Sequence, residues 1–340
     1  MIHLRALRIV FAISFLVRVA SLGGQTPVMT VVLLGTGRPD PVIDRFGPAT
    51  LVEAGGQNLL FDAGRGATQR LWQLKIPLGE VNALFLTHLH SDHTVGIPDL
   101  WLTGWLPTPF GSRKTPLQVW GPTGTVDMMA GLSKAYQWDI RVRGEGERLP
   151  RDGIKVLPHD IGEGVIYDRH GLKVTAFLVD HGGLLKPAFG YRVDYAGHSV
   201  VISGDTRPSE NLIRHAAGTD LLVHEVAAVR PDLLERSPTA AIARRILGFH
   251  TSPEEAGRIF ARVKPKLAVF THVVLLTTDR NFQPPTGADV MRRARMGYAG
   301  ALELGEDLMT IEIGDKVEVH RFTTTAPVTI RPPITAPPLH

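Results

Sequence analysis

The segment ALFLTHLHSDHTVG, residues 83–96, places three histidines and one aspartate close together, directly after an apolar run. His88, His90, Asp92 and His93 all carry groups that bind divalent metals. Imidazole and carboxylate groups are costly at the end of a buried strand unless something satisfies them, and a metal ion does so. A lone H-x-H pair is weak evidence, but H-x-H-x-D-H after an apolar strand specifically indicates a metal site.

Three further candidate ligands are distant in sequence from this motif. His181, Asp205 and His272 each follow a different apolar segment that is predicted to be a strand. Ligands bind at the carboxyl ends of strands in α/β proteins, so these side chains are expected to meet the first motif. The chain has no cysteine, and nitrogen and oxygen ligands suit zinc, with manganese or iron as alternatives.

The elements that must position these residues alternate along the chain, which predicts one α/β domain with mixed sheets. The predicted strands are Thr30–Leu34, Leu51–Glu53, Asn58–Phe61, Ala83–Thr87, Leu117–Trp120, Lys173–Val179, Phe189–Asp194, Ser199–Ser203, Leu221–Glu225, Leu267–Thr271, Met309–Ile313 and Lys316–Arg321. The predicted helices are Ala67–Leu74, Gly124–Gln137, Ser209–His215, Pro231–Leu247, Pro253–Val263 and Gly287–Arg295. At Pro253, Ser252 and Glu255 have the spacing of a capping box.

Composition limits the functional classes. Of 340 residues, 44% are hydrophobic and 21% charged, as in soluble globular proteins. The net charge of +4 is compatible with an anionic substrate but too small to argue for nucleic acid. Without cysteine, neither a disulfide framework nor a thiolate metal site can form.

The two ends of the chain differ from the middle. A basic start, the apolar run Ile9–Val17 and the small residues after it predict a signal peptide over residues 1–24. The protein is therefore expected in the periplasm or outside the cell, with an uncleaved N-terminal anchor as the alternative. Residues 25–322 are expected to form the single folded domain, and the Thr/Pro-rich residues 323–340 an extended tail.

The motif THLHSDH, together with LLGTGRPDP and LLFDAGRG, resembles the metallo-β-lactamase superfamily from about Val28 to Arg321. The resemblance implies an αββα sandwich with two mixed β-sheets and a site for two divalent metal ions, most simply zinc, along one edge. By resemblance, one metal is assigned to His88, His90 and His181, and the other to Asp92, His93 and His272. Asp205 is then assigned as the bridge between them.

The segments DHGGLLKPAFGYRV, SGDTRPS, LLVHEVA and HTSPEEA are similar to ribonuclease Z, which trims the 3′ end of precursor transfer RNA. Two departures argue against structured transfer RNA as the substrate. No flexible basic arm is evident between LQVWGPTGT and FLVDHGG, and the loop after GTG lacks a lysine. The expected substrate is instead a small anionic or ester compound, such as a nucleotide or short oligonucleotide. A homodimer is implied by resemblance alone.

Two divalent ions about 3.5 Å apart can clamp a displacement, and a hydroxide that bridges them would be the nucleophile. The resemblance and this chemistry assign Asp92, His250 and Glu225 to catalysis, with His250 donating a proton to the leaving group and Glu225 orienting it. The alternatives are that Glu225 caps a helix and that His250 has no chemical role. Asp62 is interpreted as orienting a ligand histidine from outside the metal shell.

These observations predict an exported, dinuclear metal-dependent hydrolase, a phosphodiesterase of ribonuclease Z-like type. The alternative is activity as a lactonase, arylsulfatase or β-lactamase on the same metals, although Asp205 argues against a β-lactamase. A metal-binding protein without catalysis is disfavoured because the ligand set is complete. Trp101 and Trp105 either wall the pocket or form one buried helix face, since four residues separate them.

Overall fold

The computed structural model describes residues 28–323. The predicted signal peptide and almost all of the predicted tail lie outside the described residues. Between residues 28 and 323, no helix has the length and apolarity needed to cross a membrane. The described chain forms two β-sheets packed face to face with helices on both outer surfaces, which is the predicted αββα sandwich.

The first sheet is mixed and has eight strands. In chain order these strands are β1 (Met29–Gly35), β2 (Ala49–Ala54), β3 (Gln57–Phe61), β4 (Val81–Phe85), β5 (Leu117–Gly121), β6 (Val156–Asp160), β14 (Met309–Ile313) and β15 (Val317–His320). Their order in the sheet is β15-β14-β1-β2-β3-β4-β5-β6. Strands β3 to β6 run parallel, so their carboxyl ends lie at one edge.

The second sheet is also mixed and has seven strands. These are β7 (Gly164–Arg169), β8 (Leu172–Val179), β9 (Ala188–Tyr195), β10 (His198–Ile202), β11 (Leu221–Val229), β12 (Leu267–Leu276) and β13 (Leu302–Leu304). Their order is β13-β12-β11-β10-β9-β8-β7, and β10 to β13 run parallel. Of the candidate ligands in this half of the chain, His181 follows β8, Asp205 follows β10 and His272 lies within β12.

The helices cover the outer faces of the two sheets. They are α1 (Ala67–Gln73), α2 (Ser91–Thr94), α3 (Ile97–Trp105), α4 (Thr125–Ala135), α5 (Gln137–Arg141), α6 (Glu210–Ala216), α7 (Pro231–Arg236), α8 (Ala240–Leu247), α9 (Pro253–Val263) and α10 (Gly287–Arg295). A 3₁₀ turn at Leu78–Glu80 and a π-helical turn at Val142–Gly146 complete the set.

An apolar core between the sheets fixes their relative position. Phe61 stacks on Phe85 with ring centroids 5.0 Å apart, and Tyr191 from the second sheet packs against both rings. Further clusters lie between the first sheet and α1, α3 and α4, and between the second sheet and α6, α9 and α10. Burial of this apolar surface is the main driving force that holds the two sheets together.

The prediction of one helix over residues 231–247 is wrong. The structure has two helices, α7 and α8, because the chain is extended at Ser237 (φ −80°, ψ 138°). Pro238 explains the break, since proline disfavours helical geometry in the residue before it and lacks an amide hydrogen. The capping box of α9 is confirmed: Ser252 accepts a hydrogen bond from the Glu255 amide, and the Glu255 side chain accepts one from the Ser252 amide.

Trp101 and Trp105 form the buried face of α3 and do not wall the metal pocket. Their exposed fractions are 2% and 1%, and their indole nitrogens donate to the carbonyl oxygens of Ile154 and Pro150. The region that follows, residues 122–171, folds into helices and strands. The longest stretch of this described segment outside helices and strands is residues 147–155.

Candidate metal centre and active site

The first ligand motif begins where β4 ends. The Leu86 amide still bonds to the Trp120 carbonyl at 2.7 Å, and the chain then leaves the sheet. His90 precedes the single turn of α2, whose first hydrogen bond joins the His93 amide to the His90 carbonyl at 3.1 Å. All three ligands belong to one short segment, and this turn places Asp92 and His93 next to His88.

A neighbouring loop holds this turn through its backbone. The Ala63 amide donates to the His93 carbonyl, and the Gly96 amide donates to the Ala63 carbonyl, both at 2.8 Å. Gly64 is required here because a Cβ at this position would lie 2.6 Å from the Asp92 carbonyl oxygen. The close approach of the two backbones therefore depends on the glycine of the FDAG motif.

Asp62 fixes the orientation of two candidate ligands. Its carboxylate accepts hydrogen bonds from the Thr87 amide and hydroxyl, each at 2.8 Å, and from His93 Nδ1 at 2.7 Å. His88 Nδ1 lies 3.0 Å from the Thr87 hydroxyl and donates to it. Both imidazoles thus carry their proton on Nδ1 and present a lone pair on Nε2 towards the site. The left-handed backbone of Asp62 (φ 58°) marks local strain at this position.

The first predicted ligand group consists of three histidines whose nitrogen atoms converge. His90 Nδ1 lies 3.0 Å from His88 Nε2 and 3.3 Å from His181 Nε2. His181 follows β8, and its Nδ1 donates to the Phe249 carbonyl at 2.9 Å, which holds the ring in place. The structure therefore brings together the three residues assigned by resemblance to one metal.

The second predicted group lies directly beside the first. Asp92 Oδ2 is 3.3 Å from His272 Nε2 and 3.7 Å from His93 Nε2. All three side chains are buried. The structure thus brings together the residues assigned to the other metal as well.

Asp205, in the loop after β10, stands between the two groups. Its Oδ2 is 3.5 Å from His93 Nε2 and 3.4 Å from His272 Nε2 in one group. The same oxygen is 3.8 Å from His181 Nε2 and 4.0 Å from His88 Nε2 in the other. This is the placement that a bridging carboxylate needs.

His272 lies in a β-bulge inside β12. Along the β11–β12 ladder Glu225 pairs with Thr271 and Val226 pairs with Val273, so His272 has no partner. Its φ is +41°, and the bulge turns the side chain towards the site. The sequence prediction that both strands end at this level is therefore wrong, because β11 and β12 continue beyond Glu225 and His272.

His250 and Glu225 form a pair at the edge of the metal groups. His250 Nδ1 is 3.3 Å from Glu225 Oε2. The other Glu225 oxygen accepts hydrogen bonds from the amides of Thr206 and Thr251, which lie in loops rather than in a helix. Burial alone would lower the pKa of His250, but the Glu225 carboxylate and, more weakly, Asp205 raise this pKa to about 9.

The charges of the site suit cations. Burial alone would raise the pKa of the Asp205 carboxyl, but the surrounding histidines hold it well below its usual range. Burial and the neighbouring His93 lower the pKa of His88, which favours the neutral form that binds metals. Among the described residues, His93 Nε2 and Asp205 Oδ1 are buried without a hydrogen-bond partner. These unpaired nitrogen and oxygen atoms fit divalent metal ions.

The metal groups open into a cavity of about 320 Å³. Arg38, from the GTGRPDP turn, lies on its lining with Pro39 and Asp40. The remaining lining is apolar apart from Thr277. Sequence reasoning missed it, since no spacing of Ile246, Phe249 or Leu276 distinguishes them from core residues. His250 also lines this cavity, within reach of a bound molecule.

His224 does not contact the candidate ligands, although it neighbours Glu225 in sequence. Adjacent residues of a strand point to opposite faces, and the His224 ring packs against Phe260 with centroids 5.7 Å apart. Its Nδ1 donates to the Glu225 carbonyl at 2.6 Å. The roles assigned to the individual site residues remain predictions, but their convergence in one place is a structural observation.

Comparison with known proteins gives the chain its family. The family model described as "Beta-lactamase superfamily domain" matches residues 57–273. Ribonuclease Z of Mycobacterium sp. (strain KMS) is 37% identical over 288 residues, which is 84% of this chain and 96% of the relative. Ribonuclease Z of Mycobacterium marinum is 36% identical over 290 residues, covering 84% of this chain and 99% of the relative.

Solved structures agree in fold. The short form of human tRNase Z has a TM-score of 0.61 at 22% identity and covers 84% of this chain and 99% of its own. The metallo-β-lactamase fold protein YhfI of Bacillus subtilis has a TM-score of 0.62 at 15% identity and covers 83% and 98%. The predictions of an αββα metallo-β-lactamase fold and of a metal-dependent hydrolase are confirmed. The chain belongs to the β-lactamase superfamily and, within it, to the ribonuclease Z family of metal-dependent hydrolases.

Proposed function

We propose that the protein is a phosphodiesterase with two divalent metal ions, most simply zinc, and that it cleaves small phosphodiesters such as nucleotides or short oligonucleotides. One observation carries this proposal. Seven nitrogen and oxygen ligands converge beside a carboxylate–histidine pair, and both open into the same cavity. A metal-dependent phosphodiesterase is the activity that this arrangement and the family support.

In this proposal two bound metals supply Lewis-acid stabilisation of the phosphoryl oxygens and lower the pKa of the attacking water. Asp205 keeps the two ligand groups at a fixed separation, because its Oδ2 lies within 4.0 Å of histidines from both. Asp62 holds His93 directly and His88 through Thr87. Geometry held in advance of binding removes the cost of ordering the site during the reaction.

His250 is proposed to donate the proton that the leaving oxygen needs. Glu225 keeps it charged and oriented through the 3.3 Å contact, and its own carboxylate is fixed by two backbone amides. With a pKa of about 9, His250 carries the proton at neutral pH. General-acid help of this kind is worth about 10²–10⁴ in rate.

A small substrate is preferred over structured transfer RNA. Residues 122–171 fold into helices and strands with short connections, and β9 and β10 are joined directly at Ala196 and Gly197. Neither segment offers an arm that could hold a large RNA at a distance from the metals. The cavity of about 320 Å³ is at the low end of the range for small-molecule sites.

We also propose that the protein is exported, with its signal peptide cleaved within residues 20–25, and that it forms a homodimer. Support for export comes only from the sequence pattern of residues 1–24, and support for the dimer only from resemblance. N-terminal sequencing of native protein and its sedimentation behaviour are the measurements. An intact Met1 in a cytoplasmic fraction would argue against export and in favour of a transfer-RNA substrate.

The activity is tested with metal-loaded protein on four substrates in parallel: bis-p-nitrophenyl phosphate, an acyl lactone, a chromogenic cephalosporin and an aryl sulfate. Elemental analysis of the same sample should give two metals per chain. Turnover of the phosphodiester alone supports the proposal. Faster turnover of the lactone, the sulfate or the cephalosporin would favour one of the alternative hydrolase activities on the same metals.

A further inference from the structure

One side of the metal cavity is used neither by the ligand groups nor by the proton donor. It is formed by four apolar side chains, which we call the apolar wall: Ile246, Phe249, Val274 and Leu276. The same cavity contains the candidate ligands His90, His181 and His272. A molecule bound at the metal centre therefore has one of its sides against this wall.

The apolar wall is formed before any ligand binds. Val274 and Leu276 belong to the part of β12 after the bulge, and they pack in one cluster with Ala227 and Leu233. Ile246 at the end of α8 packs against the same cluster. A surface that is already ordered costs little conformational entropy when it binds a ligand.

The Phe249 ring is held in place by its packing against Gly182 and Arg207. A Cβ at Gly182 would lie 2.6 Å from its ring, so the glycine permits the close packing of the loop against the ring. The Arg207 guanidinium lies 5.7 Å from the ring centroid, and its Nε donates to the Gly248 carbonyl at 2.6 Å. The ring therefore has a defined position, while the carbonyl of the same residue orients His181.

The cavity offers little positive charge apart from its histidines. Among the described residues that line it, Arg38 is the only arginine, and no lysine lines it. The Arg38 guanidinium bonds to Asp40, with Nε 2.8 Å from Oδ2, and to the Leu275 carbonyl. Binding of a polynucleotide relies on several phosphate contacts by free cations, and this cavity supplies none beyond the metal centre.

We propose that the apolar wall binds one organic substituent of the phosphodiester, so that the preferred substrates carry a short alkyl chain or a single ring on one ester oxygen. This inference rests on the proposed phosphodiesterase function. The metals then bind the phosphate, while the wall selects the substituent by its apolar area. Specificity for the group next to the phosphate comes from α8 and from the end of β12.

The test uses the full chain loaded with zinc and a series of n-alkylphosphonates from methyl to butyl. Calorimetry measures their binding, and competition against bis-p-nitrophenyl phosphate measures inhibition. Each added methylene that is buried on the wall should lower the dissociation constant about fourfold. Phenylphosphonate should bind more tightly than methylphosphonate for the same reason.

Two variants on α8 distinguish a role of the apolar wall from a nonspecific effect of placing serine on this helix. Ile246→Ser should flatten the dependence on chain length without changing metal content. Ile242→Ser, one turn earlier on α8 and 48% exposed, should leave the dependence unchanged. Phe249→Ala is a second wall variant that keeps the backbone carbonyl bound to His181, and it should weaken phenylphosphonate most.

The outcomes distinguish this inference from the proposed function. If all phosphonates bind equally while bis-p-nitrophenyl phosphate is still hydrolysed, the role of the wall is refuted and the phosphodiesterase proposal stands. The same holds if affinity grows with the number of nucleotides in an oligonucleotide rather than with alkyl length. If methylphosphonate does not bind and no phosphodiester is hydrolysed, both proposals are refuted.

Discussion

The two sheets contribute to the metal centre in different ways. The first sheet supplies the ligands of the single segment His88–His93, and Asp62 ties this segment together through hydrogen bonds. The second sheet supplies His181 and Asp205 from the connections after β8 and β10, and His272 from the bulge inside β12. Among the described residues, buried atoms without a hydrogen-bond partner occur on both sides: His93 Nε2 from the first sheet, and Asp205 Oδ1 and His272 Nδ1 from the second.

This difference separates local from global organisation. The first-sheet ligands are fixed by neighbours in the same loop and the adjacent one, so their arrangement depends on few contacts. The second-sheet ligands meet only because the sandwich brings segments that are distant in sequence to one edge. Substitutions can therefore test two points. The first is whether the first-sheet ligands form a self-contained unit, and the second is whether the second-sheet side also supplies the proton donor.

The largest effect is expected from Asp205→Ala. Removing the central carboxylate takes away an attraction of about 4 kcal/mol for a unit charge at 4 Å in a partly screened site, or about 10³-fold in metal affinity. Metal content should fall below two per chain, and activity should fall for every substrate. Elemental analysis and the substrate panel measure this. Asp168→Ala, at a side chain that is 57% exposed, is the control and should change neither. Full metal content in Asp205→Ala would contradict the bridging role.

His250→Ala tests whether the second-sheet side also provides the proton for the leaving group. Both metals should stay bound, since His250 is not a predicted ligand. A dinucleotide should be cleaved about 10²-fold more slowly, because its alkoxide leaving group needs a proton. A nitrophenyl ester should be nearly unaffected, because nitrophenolate leaves without protonation. Equal slowing of both substrates, or loss of metal, would show that His250 is a ligand or binds the transition state.

Asp62→Ala should break the local unit of the first sheet. Asp62 holds His93 directly and His88 through Thr87, so both metals should bind about 10- to 100-fold more weakly. Thr87→Val removes only the link to His88 and should weaken mainly the group that contains it. Titration against a chelator resolves the two affinities. If Asp62→Ala leaves either affinity unchanged, the two ligand groups do not share this support.

The smallest effect is expected from Ser252→Ala at the start of α9, two residues after His250. Loss of the capping box should lower the free energy of unfolding by about 1 kcal/mol, as measured in urea. Thr286→Ala removes the corresponding cap of α10, and we expect a similar loss there. Neither variant should change metal content under native conditions. Metal loss in Ser252→Ala alone would mean that the second-sheet ligands depend on this helix start.

The first half of the site was predictable from sequence because its ligands are contiguous. The strands that end at Phe85 and Val179 could also be predicted, since apolar runs precede the polar groups. The β-bulge at His272 was not, because Val, Thr and Leu surround it and no glycine marks the irregularity. A bulge changes the pairing register without changing the residue types that predict a strand.

Elements at the periphery were the least predictable. β6 and β7 were missed because they are largely exposed or half-buried and lack a clear alternation, and β6 contains Pro158. The break between α7 and α8 could have been predicted only by giving Pro238 more weight than the helical apolar spacing around it. The apolar wall could not be predicted, since its residues come from two elements whose packing is known only in three dimensions.

The bulge at His272 has a further effect on the strand that contains it. Before the bulge, Leu267 and Val269 face the other sheet. After it, Val274 and Leu276 line the cavity, while Val273 and Leu275 pack on the helical side. The four residues read Val-Val-Leu-Leu, so a shift by one position would exchange the two faces with no change in their chemical character. Hydrophobic patterning cannot choose between these phases, so the bulge at His272, and not the residues that follow it, determines which apolar side chains of β12 line the cavity.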